Sequence, residues 1–280
     1  MSLDNRASGR SSANIWFRRA GARIETAVRR LVSPSRIAVP WPSRPSVAIA
    51  AISFVALFVL LMVTLDAPAI IAARGLPPLI NAVFQAITGF GKAGRFLYPL
   101  GILMLAIALA PPQLPRMAQL ILATIMARAG FLFIAVAVPG LFTDIVKHIF
   151  GRARPFVSGE ANPYLFHPFS WPAAYASLPS GHATTAVAAA IAIGAMWPRA
   201  RTVIWIYAAL IIISRVVIYA HHPSDVLAGA AVGAVGALLA RQYFAARGLV
   251  FGVTPQGAIA AFPGPSKRRI KSVARALLAE

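Results

Sequence analysis

The sequence predicts an all-α, polytopic membrane protein: a bundle of six transmembrane helices with both termini in the cytoplasm. Three observations support this prediction. The 280 residues are 59% hydrophobic and only 12% charged, and a mean hydropathy of +0.72 is too high for a soluble domain of this length. Six apolar runs approach the roughly 20 residues that cross a bilayer. The positive charges concentrate in alternate connecting segments.

The six predicted spans differ in their sequence features. The first is an uninterrupted apolar run, and the fourth is rich in small residues that suit close packing of helices. The sixth contains Gly229 and Gly233, whose G-x-x-x-G spacing predicts a helix contact face. In chain order the spans are 47–65, 96–110, 119–142, 183–197, 203–219 and 226–244.

The distribution of Lys and Arg predicts the orientation. With a cytoplasmic N-terminus, the inside segments hold 19 of the 27 Lys and Arg residues and the outside segments hold six. We therefore predict a basic cytoplasmic tail at 1–46, a membrane domain at 47–244 and a second basic cytoplasmic tail at 245–280. Residues 15–31 place apolar side chains against a basic face, which fits either an interfacial helix or a disordered tail. Because 46 residues precede the first apolar run, we interpret this run as a retained anchor and not as a cleaved signal peptide.

The net charge of +20 narrows the classes of partner. Such an excess fits nucleic acid, an anionic membrane surface or a phosphorylated ligand. Because the charge follows the topology, attraction to anionic headgroups accounts for much of it, and nucleic-acid binding is not needed. The chain has no cysteine, which excludes disulfides, thiolate nucleophiles and Cys-ligated metals.

The first polar cluster lies just after the third span, in "KHIFGRARP" at 147–155. Lys147 and Arg154 share one face if the helix continues for two turns, unless Gly151 interrupts it. Taken alone, this cluster also fits a solvated loop or a lipid headgroup anchor.

The second polar cluster, "SLPSGHATTA" at 177–186, leads into the fourth span. Ser180 and Gly181 belong to a tight turn, and the free N–H groups at the start of a helix can bind an anion. His182 lies at the N-terminus of that helix. Taken alone, the segment also fits an ordinary helix start with an interfacial histidine.

The third polar cluster is "SRVVIYAHHPSD" at 214–225. A charge such as Arg215 near the end of a span needs a partner or an aqueous cavity. Asp225 follows His221 by four residues, so its carboxylate could hold that imidazole in one tautomer and orientation. Taken alone, the pair also fits a helix cap. His222 should point elsewhere, and no role is assigned to it.

The three clusters meet at one membrane interface in the predicted topology, and together they indicate a phosphate ligand. Cations can neutralise a tetrahedral dianion, the turn before the fourth span can donate to its oxygens, and two histidines can supply a nucleophile and an acid. The spacings Lys147-x6-Arg154-Pro, Pro-Ser180-Gly181-His182 and Ser-Arg215-x5-His221-x3-Asp225 resemble the three-part signature of the type 2 phosphatidic acid phosphatase family. The resemblance covers about 96–241.

The resemblance implies a metal-independent lipid phosphatase with no cofactor. His221 is then the nucleophile that forms a phosphohistidine, Asp225 orients its ring, and His182 is the general acid and base. The implied phosphate-binding residues are Lys147, Arg154, Ser180, Gly181 and Arg215. The family also includes soluble acid phosphatases and vanadium haloperoxidases, but six spans favour the lipid phosphate branch.

The predicted site opens at the outer interface, which in a bacterial cell is the periplasmic face of the inner membrane. We expect the aromatic loop 156–171 either to cover the site and help admit a lipid tail or to serve as a simple interfacial anchor. Undecaprenyl diphosphate, phosphatidic acid, phosphatidylglycerol phosphate and a lipid A phosphate all fit such a site. Oligomeric state is not predicted, and a phosphotransferase that uses the same phosphohistidine is the alternative enzyme.

Other classes fit the sequence less well. A metal enzyme would need clustered ligands, but the outer face offers few acids, chiefly Asp66, Asp144, Glu160 and Asp225. A serine hydrolase lacks the strand-turn-helix nucleophile elbow. A transporter predicts mid-membrane polar groups on several helices, whereas Arg128 is the clear case here, facing the bundle interior or a neighbouring carbonyl.

Overall fold

The structure is a computed structural model that describes residues 21, 22, 25, 26, 28–111 and 113–278. The described part is mainly helical and has one antiparallel pair of short strands. The helices are α1 (Arg44–Thr64), α2 (Asp66–Arg74), α3 (Pro78–Thr88), α4 (Gly94–Ala108), α5 (Arg116–Phe150), α6 (Gly181–Met196), α7 (Arg201–Val217), α8 (Pro223–Ala246) and α9 (Lys267–Leu278), and the strands are β1 (Phe251–Val253) and β2 (Ile259–Ala261). The sequence left an interfacial helix and a disordered tail open for 15–31; residues 21, 22, 25, 26 and 28–31 of this segment are described and are helical, and the others lie outside the described residues.

Five helical stretches in the described chain are long and apolar enough to cross a membrane. They are Arg44–Thr64, Pro78–Ala108, Arg116–Phe150, Pro198–Val217 and Pro223–Ala246. The remaining predicted span is the apolar helix α6, whose 16 residues reach about 24 Å at 1.5 Å per residue. The chain is therefore a multi-pass membrane protein with five candidate spans. A sixth crossing by α6 and the cytoplasmic location of both termini stay predictions.

Helix α1 presents its apolar surface outward. Ser43 caps it by accepting a hydrogen bond from the Ser46 N–H at 3.3 Å. None of the 21 residues of α1, all of them described, is buried. Ile52 and Val63 are 70% and 61% exposed. An apolar surface of this extent needs a hydrocarbon environment, so α1 is a lipid-facing span.

Helices α6 and α8 pack at backbone distance. Eleven of the 16 residues of α6 are buried, most of them alanines. A Cβ atom on Gly229 would lie 2.3 Å from the Ser180 carbonyl oxygen, and one on Gly233 would lie 2.3 Å from the Thr184 carbonyl oxygen. Thr184 Oγ1 also donates to the carbonyl of Gly229 at 3.0 Å. The predicted G-x-x-x-G contact face is confirmed, and it holds the N-terminal ends of α6 and α8 together.

By its internal contacts the chain divides into two compact units. One comprises the described parts of Met1–Val39, Tyr98–Phe131 and Gln242–Glu280, and the other comprises Pro40–Leu97 and Leu132–Arg241. All eight predicted site residues belong to the second of these units. A cavity of about 390 Å³ in the first unit contains none of them.

In the first unit the C-terminal segment packs against α4 and α5. Val273 of α9 joins a buried cluster with Ile107, Leu114, Ala118, Ile121 and Leu122. After β2, the carbonyl of Phe262 accepts a hydrogen bond from Nη2 of Arg128. Of the two environments expected for Arg128, the structure therefore shows a neighbouring carbonyl.

Candidate active site

The first predicted cluster is divided by the end of α5. The helix ends at Phe150, and Gly151 adopts a φ of +59°. A Cβ atom on Gly151 would lie 1.6 Å from the carbonyl oxygen of His167, so only glycine fits this turn. Of the two alternatives left open by the sequence, the structure shows the interruption at Gly151, so Lys147 and Arg154 do not share one face of a continuing helix.

Lys147 lies in the last turn of α5 and faces the second cluster. Its Nζ atom is 2.6 Å from Oδ1 of Asp144, an exposed carboxylate. The same Nζ atom is 3.7 Å from the position of a Cβ on Gly181. Lys147 therefore reaches the start of α6 although the helix ends three residues after it.

Arg154 is held by its backbone, and the Nε atom of its side chain is unpaired in the described chain. Its N–H donates to the carbonyl of Ala174 at 2.7 Å. Its Nε atom is buried and has no hydrogen-bond partner among the described residues. Burial lowers the pKa of Arg154, and the nearby Asp225 carboxylate opposes that shift.

The second cluster begins α6 and joins the third through a backbone contact. Ser180 occupies the N-cap position, but its side chain makes no capping bond, and its Oγ is buried without a partner in the described chain. The Ser180 N–H donates to the carbonyl of Asp225 at 3.0 Å. This contact places the N-terminal turns of α6 and α8 side by side.

His182 lies where several parts of the second unit converge. A Cβ atom on Gly91 would lie 2.9 Å from Cδ2 of His182, so the 3₁₀ turn Gly89–Gly91 lies against the imidazole ring. The cations close enough to act electrostatically on this ring are Arg215, Lys92, Arg154 and Lys147. The structure thus brings the three predicted cationic residues to the same histidine and adds Lys92.

Arg215 is buried in the last turn of α7 and is 5% exposed. Its Nη1 donates to Oγ1 of Thr88 at the end of α3. Its Nε is buried with no partner in the described chain. Neither Arg215 nor Arg154 has a described carboxylate within salt-bridge distance, so both guanidinium groups retain capacity for an anion.

His221 is buried, and a backbone carbonyl orients its ring. Nδ1 lies 2.8 Å from the Ser177 carbonyl oxygen. Because a carbonyl can only accept, Nδ1 carries the proton and Nε2 keeps its lone pair. Burial lowers the pKa of His221 well below its usual value, Asp225 opposes this shift, and Arg215 adds to it. The ring is therefore a neutral imidazole.

Asp225 makes no hydrogen bond to His221, and the direct orienting contact expected from sequence is absent from the described structure. Its Oδ2 is 3.9 Å from Nδ1 of His221. Asp225 is the third residue of α8, so it reaches back to the N-cap residue and accepts the His222 N–H at 2.9 Å. Oδ2 also accepts the Ser177 hydroxyl at 2.6 Å and lies 3.3 Å from Nδ1 of His222. The expectation that His222 points elsewhere is wrong, because His222 is buried beside this carboxylate.

Three predicted phosphate-binding residues share one property: each has a buried polar atom without a hydrogen-bond partner among the described residues. These atoms are Nε of Arg154, Oγ of Ser180 and Nε of Arg215. A buried donor without a partner costs on the order of 1–3 kcal/mol, more when it is charged. Such an arrangement suits an anionic ligand that accepts hydrogen bonds from all three side chains.

Several residues around the site were not identified from sequence. Thr88 and Lys92 lie in the apolar 78–108 stretch and carry no motif. Arg152 was visible as an extra arginine in the first cluster, and Asp66 as one of few acids outside the membrane. Ser177 stood three residues before Ser180, but nothing in the sequence indicated that its carbonyl would hold His221.

Several known proteins are similar to this sequence. A model of the PAP2 superfamily matches residues 128–249, which include all eight predicted site residues. A lipid A 1-phosphatase of Rhizobium johnstonii is 34% identical over 201 residues, covering 71% of this chain and 81% of that protein. A lipid A 1-phosphatase of Rhizobium etli is 34% identical over 198 residues, covering 70% and 84%.

A solved structure is also similar. It is the crystal structure of the first transmembrane PAP2 type phosphatidylglycerolphosphate phosphatase, from Bacillus subtilis, with a TM-score of 0.48 and 19% identity. The similarity covers 69% of this chain and 94% of that chain.

Taken together, the apolar helices and the relatives define a multi-pass membrane enzyme that hydrolyses phosphoric esters. The chain belongs to the PAP2 superfamily. The resemblance identified from the three motifs is thereby confirmed, and a lipid phosphatase is the activity that the relatives support.

Proposed function

We propose that the protein removes phosphate from a lipid A-type headgroup at the outer face of the inner membrane, through a phosphohistidine on His221. The observation that carries this proposal is the set of three unpaired buried donors on Arg154, Ser180 and Arg215, close to the two histidines. Of the substrates that the sequence left open, the 1-phosphate of lipid A is favoured because two relatives covering more than two thirds of this chain are lipid A 1-phosphatases.

In the first step, the Nε2 lone pair of His221 attacks phosphorus, and the bond between phosphorus and the lipid oxygen breaks. The hydrogen bond from Nδ1 to the Ser177 carbonyl supports this role, since it fixes the tautomer in which Nε2 is free. His182 gives a proton to the leaving oxygen, so the lipid departs as a neutral alcohol.

In the second step, His182 accepts a proton from water, and the resulting hydroxide attacks the phosphohistidine. The bond between phosphorus and nitrogen breaks, inorganic phosphate leaves, and His221 returns to its neutral form. Lys147, Arg154 and Arg215 stabilise the charge on the phosphoryl oxygens in both steps, together with Ser180 and the Gly181 amide.

Asp225 acts on His221 through Ser177 in this mechanism. Its Oδ2 accepts the Ser177 hydroxyl, and the carbonyl of the same residue accepts the His221 Nδ1 proton. The carboxylate therefore fixes the residue that orients the nucleophile, and its charge favours the imidazolium that forms on attack.

The outer location rests on charge distribution, which assigns most Lys and Arg residues to cytoplasmic segments. The loop 156–171 contributes exposed aromatic side chains at this face, among them Phe169 at 75% and Trp171 at 79%. Such side chains suit the headgroup region, where they could admit a lipid tail.

The decisive experiment measures phosphate release by the purified protein in lipid nanodiscs containing chelator. Lipid A, undecaprenyl diphosphate, phosphatidic acid and phosphatidylglycerol phosphate are compared, and acid-labile phosphoprotein is trapped by rapid quenching. We expect fastest release from lipid A and a loss of roughly 10⁴-fold or more in His221→Ala.

The matched control is His222→Gln, which changes the neighbouring histidine and should still form the phosphoprotein. Full activity in His221→Ala, or phosphoprotein that depends on His222 instead, would contradict the mechanism. Transfer of phosphate to an added lipid alcohol in place of water would identify the phosphotransferase alternative. Release by sealed right-side-out vesicles, compared with inverted vesicles, tests the outer location.

A further inference from the structure

Two buried residues outside the predicted site, Asp66 and Arg152, form a network with Asp225. We propose that Asp66 is a positioning residue for the phosphohistidine reaction, acting through Arg152 on the carboxylate of Asp225. This inference rests on the proposed function, in which His221 is the nucleophile. Asp66 precedes the residues that the family model matches, and it belongs to none of the three motifs.

The network is fully buried and densely hydrogen-bonded. Asp66, Arg152 and Asp225 each have 0% exposure. Nη2 of Arg152 donates to Oδ2 of Asp66 at 2.7 Å, and Nη1 donates to Oδ1 of Asp225 at 2.6 Å. Nε of Arg152 donates to the carbonyl of Pro163 at 3.0 Å. One guanidinium therefore bridges two carboxylates and leaves neither free to rotate.

Asp66 also fixes the beginning of α8 directly. Its Oδ1 accepts the Ser224 N–H at 2.9 Å, and its Oδ2 accepts the Ser224 hydroxyl at 2.5 Å. Ser224 is the second residue of α8, where backbone N–H groups lack partners within the helix. The first residue of α2 therefore caps the helix that carries Asp225.

A continuous series of hydrogen bonds and covalent bonds connects Asp66 to the nucleophile His221. Arg152 holds one oxygen of Asp225, so the other oxygen faces the Ser177 hydroxyl at 2.6 Å. The Ser177 carbonyl then accepts the proton on Nδ1 of His221. A shift of Asp225 would be transmitted through Ser177 to the imidazole.

Charge gives Asp66 a second effect on the reaction. Two carboxylates and one guanidinium leave the network with one net negative charge beside His221. When Nε2 attacks phosphorus, the imidazole becomes cationic, and this negative charge stabilises it. Without Asp66, Arg152 would neutralise Asp225 alone, and the imidazolium would form beside a neutral pair.

The phosphate-binding residues touch this network through Asp225, whose carbonyl accepts the Ser180 N–H at 3.0 Å, and not through Asp66. Arg154 and Arg215 have no hydrogen bond to Asp66 in the described chain. Loss of Asp66 should therefore slow formation of the phosphohistidine while leaving phosphate affinity nearly unchanged. If Asp66 had a purely structural role, its loss would lower the rate of phosphohistidine formation, the affinity for phosphate and the amount of folded protein together.

The test compares Asp66→Asn with wild type and with Glu25→Gln, which removes an exposed acid from an ion pair with Arg29. We expect kcat to fall roughly 10- to 100-fold in Asp66→Asn, the range known for loss of a residue that orients a metal-binding histidine, because Asp66 orients His221 through a comparable chain of hydrogen bonds. Inhibition by inorganic phosphate should change by less than about twofold, because the oxyanion groups are intact. Phosphoprotein formation should slow in proportion to kcat, and Glu25→Gln should match wild type.

A wild-type kcat in Asp66→Asn would overturn the proposal, and so would equal losses of kcat and phosphate affinity. Ser224→Ala removes one Asp66 contact and keeps the backbone contact, so it should fold and lower kcat by a smaller factor. If Asp66→Asn does not fold, an unchanged kcat in Ser224→Ala overturns the proposal. If the wild-type protein forms no phosphoprotein, the proposed mechanism is refuted. The role of Asp66 would still be decided by whether Asp66→Asn lowers kcat without lowering the affinity for phosphate.

Discussion

Two buried charged regions of the second unit differ in how their charges are matched. In the carboxylate network, formed by Asp66, Arg152 and Asp225, both guanidinium ends bind a carboxylate. In the donor cluster, formed by Arg154, Ser180 and Arg215, each residue keeps a buried polar atom without a described partner. Arg152 and Arg154 are two residues apart in one motif. The matched charges therefore suit a structural or positioning role, and the donor cluster, which also faces both histidines, suits a ligand site.

Arg152→Met should produce the largest effect, on stability. It leaves two buried carboxylates without their common partner, and breaking a buried pair in this way costs about 3–5 kcal/mol. The free energy of unfolding, measured by thermal or denaturant unfolding in detergent, checks this value. Arg154→Met is the matched control, and comparable destabilisation by both variants would remove the distinction between the two regions.

Arg154→Met should instead act on catalysis. Loss of one donor to the developing oxyanion lowers kcat about 10²- to 10³-fold. Because the variant removes a half-buried charge whose Nε atom is buried without a described partner, its unfolding temperature should equal or exceed that of wild type. Steady-state phosphate release and a thermal melt on the same preparation test both statements. A lower unfolding temperature with wild-type kcat would assign Arg154 to the structural region.

Gly233→Ala tests the helix contact that brings the two regions together. The added methyl group would lie 2.3 Å from a backbone oxygen of α6, so α6 and α8 must separate. Overpacking of this kind costs about 1–3 kcal/mol. We expect reduced stability and reduced kcat together. Gly140→Ala in α5 is the matched control, because a Cβ atom there would meet nothing within 4 Å.

His221 lies between the two regions, and its burial predicts a pH effect on stability. Its pKa in the folded protein is well below the usual value near 6.5, so the unfolded chain binds a proton first as the pH falls. Stability is therefore present above pH 6.5 and decreases below it, by up to about 1.4 kcal/mol per pH unit for this group. The free energies of unfolding of wild type and His221→Asn should approach each other as the pH is lowered from 6.5. A constant difference would contradict the neutral, buried imidazole.

Glu25→Gln should have the smallest effect. The Glu25–Arg29 pair is 2.6 Å long, but its side chains are 59% and 78% exposed. An exposed pair at this spacing contributes about 0.3–0.5 kcal/mol. The unfolding temperature should barely change, and this change should decrease further in high salt. A large change would mean that exposure does not separate weak from strong ion pairs in this protein.

The sequence predicted those parts of the fold and site that depend on local pattern. Hydropathy located five helices that can cross a membrane, and G-x-x-x-G spacing located a contact face on α8. Motif spacing selected Arg154, Ser180 and Arg215 before any unpaired atom was visible. These features depend on residues within a few turns of one another, which is why a linear sequence reveals them.

The remaining features depend on contacts between distant residues. Asp66 is 86 residues from Arg152 and 158 from Ser224. No periodicity links such positions, so the carboxylate network could not be predicted. Gly151 was recognised as a candidate interruption, but its steric fit against His167 depends on the path of a later loop. The spacing between His221 and Asp225 suggested a direct bond, and the capping geometry of α8 directs that carboxylate to His222 and Ser177 instead.

The contact of Gly229 and Gly233 with α6 also limits how a lipid can reach the histidines. Because the backbones of α6 and α8 are in contact there, no hydrocarbon chain fits between the two helices. A substrate that diffuses in the bilayer therefore cannot enter between them. A lipid tail must therefore reach His182 and His221 from another side of these two helices.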